Sequence, residues 1–275
     1  MTTFTLTGAS RSLMAALAVL AATQAAEART VEEAKAEGTI RIGIQGDNPP
    51  WGFLDSSGVQ SGLDAAMGQA FAAYLGVEAE FVPLAVANRI PALETDQVDV
   101  LFATMAMTAE RAQAMQYSVP YAANQLSVVA PIATTITSPE ELSGLRIGVP
   151  NSSQQDKALT GMAPADAEIL RFDDDAATIQ ALLSGQVDAV GGNQFYVQRL
   201  EPQAPGTYEN KIPLTALYNG AGSRLGEADW NTELNAFLAE FITTPEYAAI
   251  YQEWLGLTPP EFPTEVEGVP FTVAQ

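Results

Sequence analysis

The chain has no cysteine and no histidine in 275 residues. It therefore has no thiolate nucleophile, no imidazole base, no Ser-His-Asp triad and no ordinary zinc or haem ligand set. The lipidated cysteine that tethers some exported proteins is missing too. Basic residues are scarce, with 12 Lys and Arg against 33 Asp and Glu and a formal net charge of −21. Nucleic acid is excluded as a partner, because its phosphates need Lys and Arg. No metal and no cofactor is expected. Chemistry by carboxylates, Lys or Tyr stays open.

The N-terminus has the pattern of a targeting segment. Arg11 precedes an apolar run, Leu13 to Ala22, and Ala26-Glu27-Ala28 fits a small-x-small cleavage site. The run falls short of the ~20 residues that span a bilayer. The expectation is a signal peptide over 1–28, a mature chain starting at Arg29, export from the cytoplasm and no lipid anchor.

Strand-like and helix-like segments alternate from Gly38 onward. Thr39 to Ile44 alternates as a strand, and Val98 to Ala103 is a short buried strand. Helical spacing runs from Leu63 to Leu75, with Asp64 as a cap and Gly76 as the stop. Ala109 to Met115 reads as a helix. The pattern then restarts with a strand at Arg146 to Val149, helices at 153–160 and 176–183, and a strand at Val187 to Val190. Two further helices follow, Trp230 to Ile242 and Pro245 to Trp254. Arg41-Ile42-Gly43-Ile44 matches Arg146-Ile147-Gly148-Val149, and Gln97-Val98-Asp99 matches Gln186-Val187-Asp188. The repetition predicts two similar α/β lobes. Ligands sit beyond the carboxyl ends of such strands, so 46–51, 104–108, 150–154 and 191–193 should surround one cleft.

Thr108-Ala109-Glu110-Arg111 lies at one of these ends. Free N–H groups at a helix start favour an anion, and an Arg one turn in offers a bidentate fork for a carboxylate. From spacing alone, Arg111 either grips a ligand or pairs with Glu110 at the surface.

The chain resembles the solute-binding proteins of polar amino acid ABC transporters (family 3). The likeness rests on an ordered set: Gly38-Thr39-Ile40-Arg41-Ile42-Gly43, Pro50-Trp51-Gly52-Phe53, Gly62-Leu63-Asp64, Ile90-Pro91-Ala92-Leu93, Thr108-Ala109-Glu110-Arg111, Tyr117-Ser118-Val119-Pro120-Tyr121, Gly185-Gln186-Val187-Asp188-Ala189 and Tyr251-Gln252-Glu253-Trp254-Leu255-Gly256. The resemblance implies an α/β fold of periplasmic binding protein type II: two Rossmann-like lobes joined by two crossover strands, near Asn124 to Val128 and Gly220 to Leu225. It implies a discontinuous first lobe (38–125 and 223–258), a second lobe (126–222), an extended tail (259–275), monomeric work in the periplasm, and a membrane ABC permease as partner.

The resemblance also implies roles. Arg111 holds the ligand's α-carboxylate, Thr108 supports it, and Thr104 and Ala106 offer polar groups to the ligand. Ser153 and Gln154 form the second lobe's helix-start site. Asn48 stands where relatives often have an aromatic, and Trp51 is either a pocket wall or core. The family's Asp for the α-ammonium is replaced by Asn193, for which Asp47 is a candidate substitute. A stacking aromatic is missing at Val86, which leaves Asn88 and Arg89 to read the side chain. If Arg89 faces inward, an anionic or acceptor side chain fits; if outward, it is a solvated charge. Two alternatives remain: a secreted enzyme like cyclohexadienyl dehydratase, needing a positioned carboxylic acid in the cleft, and a detached sensor domain.

Overall fold

A computed structural model describes residues 28–271 and the isolated Thr2. The expected signal segment, apart from Thr2 and Ala28, lies outside the described residues. The first part of the chain carries α1 (Val31–Glu37), β1 (Thr39–Ile44), β2 (Asp47–Asn48), β3 (Gly52–Leu54), β4 (Gln60–Ser61), α2 (Leu63–Leu75), β5 (Glu78–Pro83), α3 (Arg89–Glu94) and β6 (Val100–Leu101). The long β7 (Met115–Pro131) leads to β8 (Arg146–Pro150), α4 (Gln154–Met162), β9 (Glu168–Phe172), α5 (Asp175–Leu183), β10 (Ala189–Asn193) and α6 (Tyr196–Leu200). The long β11 (Tyr208–Arg224) returns to α7 (Ala228–Phe241) and α8 (Pro245–Leu255).

The main sheet runs β5-β1-β6-β11-β7-β10-β8-β9. It reads alike from both ends. The first strand of each half (β1, β8) lies between the second (β5, β9) and the third (β6, β10), all parallel. The third strand then meets a long strand antiparallel, β11 in one half and β7 in the other. β7 and β11 pair with each other from Met115/Arg224 to Pro131/Tyr208, and so join the halves. Gly220 to Arg224 forms the first-half end of β11, with Leu225 just past it, and Gly222 and Ser223 pair with Leu101 and Val100.

The repeated Val-Asp has a physical reason. Asp99 accepts from the backbone N–H of Arg41 at 2.7 Å and from its guanidinium Nε at 3.1 Å. Asp188 does the same for Arg146, at 2.9 and 3.1 Å. In each half the Asp ties the foot of the third strand to the first, and Arg146 holds the Asp188 carboxyl below its usual range. The aromatic core of the first half gathers Phe71, Phe102, Tyr121, Trp230, Phe237, Tyr247 and Tyr251. The second half buries Ile147, Val149 and Leu159 on one face and Ile179, Val190 and Tyr196 on the other.

Three local expectations are corrected. Ala109 to Met115 is not an α-helix but a single 3-10 turn, Arg111–Gln113, because β7 begins at Met115 and ladder pairing with Arg224 takes over. The strand expected at Val98 to Ala103 pairs only as Val100–Leu101. Asp64 does not cap α2, whose N-cap is Gly62 at φ 109°, and it is fully buried. A side chain at Gly62 would strike the Trp51 carbonyl. The small antiparallel sheet β2-β3-β4 has no counterpart in the sequence reading.

Candidate ligand-binding cleft

A small cavity lies between the halves, where the expected strand ends converge. Its lining includes Asn48, Arg89, Thr104, Ala106, Arg111, Ser153, Gln154 and Asn193. Trp51, Asn88 and Thr108 are not part of that lining. Trp51 is fully buried core, edge-on to Phe195 at 5.7 Å. Asn88 is exposed. Thr108 stands behind the site, its hydroxyl accepting from the Arg111 N–H at 3.3 Å.

Arg111 does not pair with Glu110, which bonds Lys157 instead. Its Nη2 reaches across the cleft to the Ser152 carbonyl at 3.2 Å. Opposite it, Ser153 caps α4 by accepting from the Asp156 N–H at 3.1 Å, and Ser153, Gln154 and Gln155 turn the start of that nine-residue helix toward the cavity. A carboxylate in this gap would meet a guanidinium on one side and a positive helix end on the other. Burial lowers the Arg111 pKa.

Both walls hold their strand ends in strained backbone. Thr104 and Ser152 adopt φ 52° and 60°, conformations that cost of order 1–3 kcal/mol for a non-glycine residue. Asp64 secures Thr104: its carboxylate accepts from the Thr104 hydroxyl at 2.8 Å and from the Tyr121 hydroxyl at 2.7 Å. Burial pushes Asp64 up to about 6, more than these hydrogen bonds pull it down. Ala106 spends its carbonyl on the Tyr117 hydroxyl at 2.6 Å.

Arg89 faces inward and is 4% exposed. Its Nε donates to Val86 O at 3.0 Å, and its Nη1 to Ala103 O at 2.6 Å and Thr104 O at 3.2 Å. Desolvation, then repulsion from Arg111, brings its pKa down to about 9.

A chain of amides crosses the cleft. Asn193 Nδ2 donates to Asn48 Oδ1 at 2.9 Å, and Asn48 Nδ2 to Gln45 Oε1 at 3.2 Å. Gln45 Nε2 donates to Asp175 Oδ2 at 3.1 Å, and the Tyr196 hydroxyl to Asp175 Oδ1. Asp47, the candidate substitute for the missing Asp, points elsewhere. Its carboxylate accepts the Ala176 N–H of α5 at 3.0 Å, and burial with repulsion from Asp175 pushes it up to about 6.

Sequence reasoning missed Gln45, Asn124, Leu126, Gln155, Asp175 and Leu217 in the lining, while Val86 lines it as the position lacking the aromatic. Asp175 lies in the Asp173-Asp174-Asp175 run at the start of α5, where Asp174 does the capping, accepting from the Ala177 N–H at 2.7 Å. Asn124, Leu126 and Leu217 enter from the long strands, where only pairing register tells which side chain faces the cleft.

Residues 40–257 match the family model of the bacterial extracellular solute-binding proteins, family 3. The chain belongs to this family. It is 23% identical to the L-cystine-binding protein TcyJ of Escherichia coli K12 over 82% of this chain and 86% of the relative. It is 27% identical to the ABC transporter glutamine-binding protein GlnH of Bacillus subtilis, over 84% and 86%. The crystal structure of an ancestral amino acid-binding protein, a precursor of cyclohexadienyl dehydratase, superimposes with a TM-score of 0.75 at 27% identity, over 82% of this chain and 98% of that one. The fold is the type II periplasmic binding protein fold, and the family function is that of the substrate-binding component of an ABC importer. These named relatives are binding proteins rather than enzymes. Among the described residues, no helix is long and apolar enough to cross a membrane.

Proposed function

We propose that this family member is a periplasmic receptor that closes as a monomer on an α-amino acid and delivers it unchanged to a membrane permease. The carrying observation is Arg111: free of Glu110, aimed across the cavity, and facing the start of α4. Export follows from the 1–28 signal pattern, with cleavage after Ala28. Arg29 then begins a chain already tied down, since its guanidinium bonds Asp99 at 3.1 Å and its carbonyl accepts from Trp230 Nε1 at 2.8 Å.

We assign the first lobe to 38–125 and the second to 126 onward, with the return near Ala216 rather than after 222. Tyr218 and Gly220 already bond the first half, through Met107 N–H to Tyr218 O at 2.8 Å and Gly220 N–H to Met105 O at 3.1 Å. The tail beyond 258 is a strap. Val269 is buried beside Met107 and Met115, and Phe262 packs edge-on against Tyr218 at 6.3 Å.

The enzyme alternative needs a carboxylic acid free to give a proton in the cleft. Asp175 is the carboxyl group in the lining, and both its oxygens already accept hydrogen bonds. That arrangement favours holding a cation over donating a proton. A thermal-shift panel on refolded protein tests the reading, with L-amino acids, their amides, small carboxylates and betaines. A ligand at a hundredfold excess over its dissociation constant adds about 2.7 kcal/mol of stability. Stabilisation by an α-amino acid is expected. Stabilisation solely by compounds without an α-ammonium or an α-carboxylate contradicts it.

A further inference from the structure

Three charged side chains line the cleft: Arg89, Arg111 and Asp175. Among the described residues none of them belongs to an ion pair. Arg89 is satisfied by backbone carbonyls through Nε and Nη1, while among the described residues its Nη2 has no acceptor. Among the described residues Arg111 is held by neutral groups, its Nη2 donating to the Ser152 carbonyl with the Tyr117 hydroxyl beside the guanidinium. Asp175 is 2% exposed and is held by two neutral donors, Gln45 and Tyr196. Tyr196 can lie against the strand end because residue 192 is Gly; a Cβ there would clash with its ring.

Charges removed from water without a partner are costly, and the cost is recovered when an opposite charge arrives with good geometry. The walls together carry two positive charges and one negative one. The complement is a ligand with two anionic groups and one cationic group. Asn193 is not the seat of that cation. Its Nδ2 is spent on Asn48 and its Oδ1 accepts from the Phe195 N–H at 3.0 Å.

We propose that the cleft is built for an acidic α-amino acid, with the α-carboxylate on Arg111, the side-chain carboxylate on Arg89 and the α-ammonium on Asp175. The assignment rests on the receptor reading above and gives it a ligand class. Val86 lines the same cavity as Arg89. Asp175 also attracts Arg89, and the test separates this attraction from a role in holding ligand.

The experiment is calorimetric titration of protein expressed from the full chain, unfolded and refolded to strip carried-over ligand. The titrants are L-glutamate, L-aspartate, L-glutamine, L-asparagine, L-arginine, glutarate and succinate. Expected in the wild type is an acid bound on the order of 100-fold more tightly than its amide. Arg89→Met should erase that preference. Asp175→Asn should weaken the acidic amino acid on the order of 100-fold and leave the matching dicarboxylate without an ammonium unchanged or tighter. Amides or L-arginine binding as tightly as the acids in the wild type overturns the charge assignment and leaves the receptor reading standing. Equal losses for glutamate and glutarate in Asp175→Asn reduce Asp175 to a closure residue and overturn its role here. No binding of any amino acid overturns the receptor reading itself. The wild-type panel decides the ligand class even if a variant fails to fold.

Discussion

Replacing Arg111 by Met keeps most of the side chain's volume and removes its charge. Two consequences of opposite sign follow from the geometry. Within the protein Arg111 bonds the Ser152 carbonyl at 3.2 Å and meets no carboxylate, and burial depresses its pKa. The folded protein therefore carries a partly desolvated charge with little return, and Arg111→Met should leave the melting temperature unchanged or raise it. A gain of 1 kcal/mol would read as about 2–4 °C in a chain of this size. In the complex the same group holds the ligand's carboxylate, and losing a buried charge-assisted contact costs about 2–5 kcal/mol. That is a fall in affinity of roughly 30- to 5,000-fold. The assay is a melting curve and an isotherm on the same preparation. Retained affinity in a folded variant would refute the carboxylate clamp. A melting temperature lowered by several degrees would show that Arg111 is a strut between the lobes.

Asp64, pushed up to about 6 in the fold against 3.8 outside it, contributes stability that is complete below about pH 4 and lost as pH rises through 6. The wild type should therefore gain about 1 kcal/mol from this group between pH 7 and pH 5, and Asp64→Asn should lose that increment in urea unfolding at the two pH values. Asn193→Asp, which the family pattern alone suggests should tighten amino acid binding, is expected to weaken it. The new carboxylate loses the donor to Asn48 Oδ1 and faces that oxygen in a buried site; tighter binding in calorimetry would restore Asn193 as the ammonium site. Removing the strap after Thr258 uncovers the Val269 site and Tyr218, costing about 1.5–3 kcal/mol per buried apolar side chain lost. An unchanged melting temperature would show the tail to be ornamental.

Much of the architecture was legible because it is written in local terms. The Arg-Ile-Gly and Val-Asp repeats mark equivalent strands, and the Asp-to-Arg ties at Asp99 and Asp188 explain why both halves keep them. The helices expected at 153–160, 176–183 and Pro245 to Trp254 form as Gln154–Met162, Asp175–Leu183 and Pro245–Leu255, capped by Ser153, Asp174 and Thr244. What stayed hidden depends on partners far along the chain. Asp64 reads as a cap, yet Tyr121 and Thr104, 57 and 40 residues away, make it a buried support for a strained strand end. Trp51 sits in a segment that nears the cleft, but Phe195 draws it into the core. Asp175 hides in an acidic run whose neighbour does the capping, and its place in the cavity depends on Tyr196 and Gln45. The inward turn of Arg89, open in the sequence, is decided by three backbone carbonyls.

The central claim is reversible capture of an intact α-amino acid in the cleft. Equilibrium dialysis of refolded protein against radiolabelled L-amino acids, with chemical analysis of what is released, tests it most directly. The account predicts one equivalent of an amino acid retained per chain and recovered unchanged on unfolding. No retained amino acid, or release of a converted product, would contradict it.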